Sequence, residues 1–357
     1  MGDKTKTLVI FSPGFPENEA DSTCLPAQQI FVKNLKKKYP KLNIIVLAFE
    51  YPFLTAEYQW HGVTVVPFAG YYKRNLFRLG NWISIWRRLK QLNRQYKLIG
   101  LLSFWTGECA LLGNTFAKRN GLKHFCWILG QDAKPGNKYL KWIKPQGESL
   151  IALSDSIANE FYKNYNLRPC HIIPIGIDPA LFGSAPAIRD IDILGVGSLI
   201  PLKRYYLLVN IVDVLRNSFP GIRVLICGKG PEFEPLDAMI RTLHLESNVK
   251  LTGELPHASV LALMQRTKIF VHTSVYEGFS SVCLEALNAG AQVVSFVRPM
   301  EVDIKNWHFA HIKDDMQRKI SELLETPDLN HDSVSPYLVH ISNKAIMKLF
   351  DYNEVAN

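Results

Sequence analysis

Two carboxylates with seven residues between them, Glu277 and Glu285, mark the stretch with the clearest chemical potential: Ser274-Val-Tyr-Glu-Gly-Phe-Ser-Ser-Val-Cys-Leu-Glu-Ala-Leu-Asn-Ala-Gly290. Small residues, Gly278, Ser280 and Ser281, lie where a helix carrying Glu285 must begin. A helix start presents unpaired backbone N–H groups and the positive end of its dipole, which is a natural seat for phosphate. Apolar runs flank the stretch, Ile269–Thr273 before it and Ala291–Phe296 after it. The whole therefore reads strand, loop, helix, glycine stop, strand. Its expected task is to grip an activated, phosphate-bearing ligand.

A second set of chemical groups precedes it. Gly195-Val-Gly197-Ser198-Leu-Ile-Pro201 has the start of a dinucleotide fingerprint, but its third glycine is missing, so the fingerprint fails. Lys203 and Arg204 follow where the next helix begins. Cations at a helix start oppose the dipole, which favours acids there, so an anionic ligand is their expected partner. Two cations suit a diphosphate. The run Ile222–Cys227 ends in Gly228-Lys229-Gly230, whose glycines permit close approach of backbone to a ligand. Val249–Gly253 leads into Glu254, Leu255 and Pro256 at the same sheet edge. These two turns form a candidate slot for a flat base. In the first half, Gly130-Gln131-Asp132 follows a strand ending at Ile128. Gln131 and Asp132 are candidates for holding sugar hydroxyls or an acceptor, although Asp and Gln after Gly are also ordinary turn residues.

The elements that position these groups alternate. Thr7–Ser12, Asn43–Ala48, Val63–Val66, Leu98–Leu102, His124–Ile128 and Leu150–Leu153 are short apolar runs, several of them separated by helical patterns. Such alternation predicts a doubly wound parallel sheet. Ligands of such sheets bind at the carboxyl ends of the strands, which makes Pro13–Glu19 a candidate wall of the site. A chain of 357 residues suits two domains. A Pro- and Gly-rich stretch from Ile173 to about Ala187 has no helical or strand period. The expected division is 1–175, a linker 176–189, a second domain 190–330 and a last segment 331–357. That segment carries a helix over Tyr337–Phe350.

Charge narrows the partners. Lys and Arg exceed Asp and Glu by 41 to 32, a net charge of +9, so an anionic partner is expected. No zinc, helix-turn-helix or single-strand-binding signature accompanies that charge, which argues against nucleic acid. Six scattered cysteines without a C-x-x-C pair read as reduced thiols, not a disulfide framework or zinc site. No apolar run is long enough to span a membrane, and no secretory signal is evident. Residues 71–97 hold Lys73, Arg74, Arg78, Arg87, Arg88, Lys90, Arg94 and Lys97 and no acid, while Trp82, Ile85, Trp86, Leu89, Leu92 and Tyr96 recur at helical spacing. A basic amphipathic helix with tryptophan suits an anionic membrane surface; the alternative is a core-packing helix with a solvated basic face.

Taken in order, Gly195-Val-Gly-Ser-Leu with Lys203, Cys227-Gly-Lys-Gly-Pro, Leu251-Thr-Gly253, and Ser274-x-x-Glu277-Gly278-Phe279 through Glu285-Ala286 and Gly290 resemble the family 4 retaining glycosyltransferases. The resemblance covers about residues 190–297. It implies an α/β chain of GT-B fold, two Rossmann-like doubly wound parallel-sheet domains facing each other across a cleft. The first would bind acceptor and the second a nucleotide-sugar donor. By that resemblance Glu277 contacts donor-sugar hydroxyls. Gly278, Phe279 and Ser280 offer N–H groups near sugar and diphosphate. Ser281 and Val282 lie at the helix start toward the phosphates, and Glu285 accepts the ribose hydroxyls. Lys203 neutralises the diphosphate, and Gly228, Gly230, Glu254 and Leu255 border the base. The final helix often crosses back to the first domain in this superfamily. Two positions depart from the family pattern. Ser198 follows Gly197 where many members have Arg, leaving Arg204 to substitute, and Leu129 stands where many have His before Gly-x-Asp.

The resemblance thus implies sugar transfer with retention to a saccharide or lipid-linked acceptor, in cell-surface polysaccharide or glycan assembly. Action in the cytoplasm at the inner membrane face is expected. Glu277, Lys203 and Asp132 are the candidates for the chemical step. Charge grows on the diphosphate as the sugar–phosphate bond breaks, and fixed cations and N–H groups stabilise it. No Asp-x-Asp metal motif stands at a suitable position, so neither metal nor cofactor is expected. The leaving phosphate can itself take the acceptor's proton. The competing readings are a GT-B nucleotide-sugar epimerase and a degenerate nucleotide-binding member without catalysis.

Overall fold

The computed structural model describes residues 4–69, 76–184 and 188–353. Two compact units emerge, one comprising 1–176 with 337–357, the other Ile177–Pro336.

The first unit is built on β1 (Lys6–Gly14), α1 (Pro26–Lys38), β2 (Asn43–Tyr51), β3 (Tyr58–Trp60), β4 (Val63–Pro67), α2 (Leu76–Gln95), β5 (Lys97–Phe104), α3 (Glu108–Asn120), β6 (His124–Ile128), α4 (Tyr139–Ile143), β7 (Leu150–Ala152), α5 (Asp155–Tyr165) and β8 (His171–Ile172). Its sheet has the order β3-β4-β2-β1-β5-β6-β7-β8. All pairings are parallel except β3 with β4. The central strand β1 is covered on both faces, and Leu8, Val9, Ile10 and Phe11 are fully buried. That is why it reads as an unbroken apolar run without polar alternation.

Helix α2 resolves the two readings of the basic segment in part. Ile85, Leu89 and Leu92 are fully buried, and Trp82 and Trp86 pack partly buried against the same core. The tryptophan face thus lies on the sheet, because burying it there removes more apolar area from water than leaving it free. What faces solvent is the basic side, with Leu79 and Ile83 exposed beside it. Lys73 and Arg74 lie outside the described residues. No described helix is long and apolar enough to cross a membrane.

The second unit runs β9 (Ile191–Val196), α6 (Tyr205–Leu215), β10 (Val224–Cys227), α7 (Phe233–Thr242), β11 (Val249–Gly253), α8 (His257–Gln265), β12 (Thr267–His272), α9 (Ser281–Asn288), β13 (Gln292–Ser295), β14 (Trp307–Phe309) and α10 (Lys313–Glu325). Its six strands are ordered β11-β10-β9-β12-β13-β14, all parallel. Leu208, Val209, Ile211 and Val212 of α6 and Ile226 and Ile269 of the strands form the core on one face.

The last helix, α11 (Val339–Leu349), belongs to the first unit. Ser342 donates to the Pro174 carbonyl at 2.7 Å, Lys38 Nζ to the His340 carbonyl at 2.9 Å and Asn343 Nδ2 to Asn34 Oδ1 at 2.9 Å. A segment over 300 residues from α1 in sequence is thereby fastened to it.

Candidate functional site

In the second unit the chain winds outward from β9 through β10 to β11, then returns to β12 on the other side of β9. The strand order therefore reverses between β9 and β12. In an open α/β sheet the crevice outside the carboxyl ends of strands at such a reversal is the usual ligand site. Lys203 leaves β9 by way of a 3-10 turn, Pro201–Lys203, and Glu277 leaves β12. Residues 74 positions apart are thus brought into direct contact: Lys203 Nζ donates to Glu277 Oε1. Two further hydrogen bonds, one from a side chain and one between backbones, tie the loops. Thr273 Oγ1 donates to the Lys203 carbonyl at 2.5 Å, and Val275 N to the Leu202 carbonyl at 3.3 Å.

His272, the last residue of β12, completes this group. Its Nε2 lies 3.4 Å from Glu277 Oε1 and 3.3 Å from Ser280 Oγ, and its ring is almost wholly buried. Nδ1 is buried without a partner. The tautomer with the proton on Nε2 fits, since it leaves an unpaired acceptor rather than an unpaired donor at Nδ1. Burial holds His272 below the ordinary histidine range, and Lys203 adds to that effect against the pull of Glu277. Burial alone would raise Glu277; the His272 hydrogen bond and the Lys203 charge overcome it and hold the carboxyl at about 2. Glu277 is therefore an anion throughout the neutral range, with a fixed cation beside it. As an ionised acceptor it suits hydroxyl donors and not proton donation.

Glu285 lies on α9, one turn beyond Ser281 and Val282, whose N–H groups sit in the first turn where no intrahelical acceptor exists. Gly278, Phe279 and Ser280 are buried just before that turn, while Ser281 and Val282 are half-buried. Glu285 itself is only 5% exposed. Its Oε1 lies 2.8 Å from Nε2 of His257, the first residue of α8.

The glycines of the upstream turns, expected to admit close approach of a ligand, also admit close approach of backbone. A Cβ on Gly228 would stand 1.9 Å from the Gly197 carbonyl oxygen, and one on Gly230 would stand 2.3 Å from that of Leu199. Both glycines have positive φ, 153° and 155°. They let the turn after β10 press against the turn after β9, where Gly197 N donates to the Cys227 carbonyl at 3.0 Å and Leu199 N to the Lys229 carbonyl at 2.9 Å. The close approach is between backbone and backbone, and it fixes the turn that carries Lys203. Replacing Gly228 by alanine is expected to destabilise the second unit by several kcal/mol, about the range of severe single substitutions. Thermal unfolding measures this, and an unchanged midpoint would refute the loop–loop account.

Other expected residues divide. Ser198 is exposed at the end of β9. Glu254 forms an ion pair with Lys229, both largely exposed, at the turn where Leu255 is half-buried. Arg204 turns away from Lys203. Its guanidinium lies 5.0 Å from the Phe296 ring centroid, and its Nε donates to the Thr273 carbonyl at 3.2 Å. It braces the loop leading to Glu277, and the diphosphate role expected of it as a substitute for the missing family Arg is not the one its contacts describe.

Asp132 belongs to the first unit. Its Oδ2 accepts from Thr106 N at 2.8 Å and Thr106 Oγ1 at 3.1 Å, and its Oδ1 from Leu129 N at 3.1 Å and Gly130 N at 2.9 Å. Burial raises its pKa, with the Thr106 and Gly130 bonds opposing. Oδ2 thus joins the turn after β6 to the turn after β5 and Oδ1 braces its own turn, whereas Gln131 beside it is exposed. Asp132→Ala is expected to lower stability by ~3 kcal/mol, the scale for leaving several buried donors unpaired. Nucleotide affinity should stay unchanged. A weakened affinity with unaltered melting would instead make Asp132 a substrate contact.

Two residues in contact with the candidate carboxylates escaped sequence reasoning, His272 and His257. His272 carried a signal, a titratable residue at the carboxyl end of an otherwise apolar strand. His257 carried a fainter one, a potential cation at a helix start. Among the described residues no group of three or more His, Cys, Asp or Glu is arranged to hold a metal ion.

Two parallel-sheet units with a crevice of this kind at the second define the GT-B fold. The chain superimposes on Anabaena HepE in complex with UDP-glucose with a TM-score of 0.72 at 17% identity, covering 97% of this chain and 99% of that one. Sucrose-phosphate synthase from Thermosynechococcus elongatus gives 0.69 at 14% identity, covering 97% and 95%. The family models agree with the division into units. The model described as Glycosyl transferases group 1 matches residues 183–334, and that described as Glycosyltransferase Family 4 matches residues 28–181. Each half of the chain thus matches a glycosyltransferase family model, and the whole has the GT-B fold. Among curated proteins, one subunit of the Arabidopsis thaliana phosphatidylinositol N-acetylglucosaminyltransferase is 27% identical over 44% of this chain and 37% of its own length. Glycogen synthase of Mycobacterium tuberculosis is 29% identical over 48% of this chain and 43% of its own. The matched stretch spans less than half the length of these relatives.

Proposed function

We propose that this chain transfers a glycosyl group from a nucleoside diphosphate sugar to a saccharide or lipid-linked acceptor, with retention at the anomeric carbon and without a metal ion. The observation that carries the reading is the contact of Lys203 and His272 with Glu277 beside the start of α9. It combines a cation, an ionised hydroxyl acceptor and unpaired N–H groups in one crevice. Lys203 and the first-turn N–H groups of α9 hold the diphosphate and stabilise the charge it gains as its bond to the sugar breaks. Glu277, kept ionised, accepts from hydroxyls of the donor sugar. Glu285 accepts from the ribose. The bond from the anomeric carbon to phosphate breaks, the acceptor oxygen bonds to that carbon on the same face, and the acceptor's proton passes to the departing phosphate oxygen. Gln131 is the acceptor-side residue of the first unit that remains exposed for substrate.

Likeness to a phosphatidylinositol N-acetylglucosaminyltransferase subunit and to a glycogen synthase supports a sugar donor with a lipid or saccharide acceptor. The solvent-facing basic side of α2 supports work beside an anionic membrane, in cell-surface polysaccharide or glycan assembly. A thermal-shift panel of nucleotide sugars, followed by transfer assays with the stabilising donor in the presence of EDTA, tests the proposal. Stabilisation by one donor with acceptor-dependent release of nucleoside diphosphate is the expected result. Stabilisation without release in the presence of any saccharide or polyprenyl-linked acceptor would leave a binding protein, and no stabilisation by any donor would overturn the reading.

A further inference from the structure

His257 breaks a local rule. It is the first residue of α8, where the helix dipole disfavours positive charge, yet its ring is placed against a carboxylate that raises its affinity for a proton. The hydrogen bond from its Nε2 reaches Glu285 Oε1 at 2.8 Å, and the two side chains are 22% and 7% exposed. Glu285 Oε2 has no hydrogen-bond partner among the described residues. One oxygen of a nearly buried carboxylate is therefore fixed by a ring from a neighbouring helix, and the other is left for a ligand. A glutamate has three side-chain torsions, and a single hydrogen bond of this kind selects among them. Local conflicts of propensity that persist in a well-packed unit are characteristic of functional positions. Both α8 and α9 belong to the second unit, so the arrangement is complete within it.

We infer that His257 is a positioning residue: it orients Glu285 so that the free oxygen accepts the ribose hydroxyls, which makes the site selective for ribonucleoside over 2′-deoxyribonucleoside diphosphates. This rests on the nucleotide-sugar reading of the same crevice. In the charged or the neutral form with the proton on Nε2, His257 donates to Oε1, so the orientation does not depend on its charge. A site that hydrogen-bonds a hydroxyl rejects the analogue lacking it because the buried acceptor is then left unpaired.

Calorimetric binding of UDP, GDP and ADP, each beside its 2′-deoxy form, tests the inference on the full chain. The wild type is expected to prefer one ribonucleotide over its deoxy form by about tenfold or more. His257→Ala should bring that ratio to within about threefold with little change for the deoxynucleotide, and His257→Gln, which keeps a donor, should restore most of it. General loosening of the unit would weaken both nucleotides together and leave the ratio intact, so an unchanged ratio in His257→Ala overturns the positioning role. If that variant does not fold, His257→Leu fills the space without a donor and is read in the same way. Failure of the wild type to bind any of the three ribonucleotides would instead overturn the reading of the crevice itself.

Discussion

Lys203→Ala is expected to reduce kcat by about 10²–10³-fold while nucleotide sugar still binds, the usual loss when one fixed donor to a developing anion is removed. The effect is large because Lys203 is not a mobile surface cation. Its carbonyl is held by Thr273 and its ammonium by Glu277, so it meets the growing phosphate charge without reorganising. Its removal also leaves Glu277 in a half-buried place without its cation, and Lys203→Arg is a useful companion because it restores charge with altered geometry. Steady-state kinetics with saturating donor measures the change. A kcat within about threefold of wild type would remove Lys203 from the chemistry. The effect on KM should be smaller, because the cation interacts more strongly with the leaving group than with the bound donor.

The second large effect falls on binding. Glu285→Ala should weaken the nucleoside diphosphate by about 30-fold, ~2 kcal/mol, the scale of hydrogen bonds made to a charged group and lost together. Because Glu285 is almost buried and lies beyond the phosphate end of α9, its loss should act on Kd for nucleotide and donor alike and leave kcat at saturation little changed. Titration with nucleotide alone separates this from an effect on chemistry. An unchanged Kd would take the ribose off Glu285 and return that carboxylate to the role of a partner for His257. Together the two variants predict opposite signatures, turnover for Lys203 and affinity for Glu285, from positions in one crevice.

The strand–loop–helix that carries Glu277 and Glu285 was legible because its signals are local. β12 is a compact apolar run, α9 begins after small residues, and Gly290, with φ 83°, stands just past its end. The sheet was legible for the same reason: strands buried on both faces have no polar alternation to confuse them. The helix predicted over Tyr337–Phe350 is α11, Val339–Leu349. Position was more legible than role. Gly228 and Gly230 announce a close approach, but sequence does not say whether ligand or backbone is the neighbour. Arg204 and Lys203 are adjacent, yet Arg204 takes a positive φ of 49° and its side chain goes to Phe296. Asp132 in a turn has the composition of a ligand site and the hydrogen bonds of a brace.

By itself, then, the sequence determined the alternation of strands and helices, the helix start with its two carboxylates, and the excess of positive charge, since each follows from neighbours within a few turns of chain. Only the tertiary structure decided that Lys203 and His272 both hold Glu277, that His257 holds Glu285, and that the tryptophan face of α2 is covered. Those facts depend on the reversal of strand order between β9 and β12 and on the packing of α8 against α9 and of α2 against its sheet. Contacts between residues tens of positions apart have no periodic or compositional trace in the chain; they exist because folding brings the ends of parallel strands to one edge.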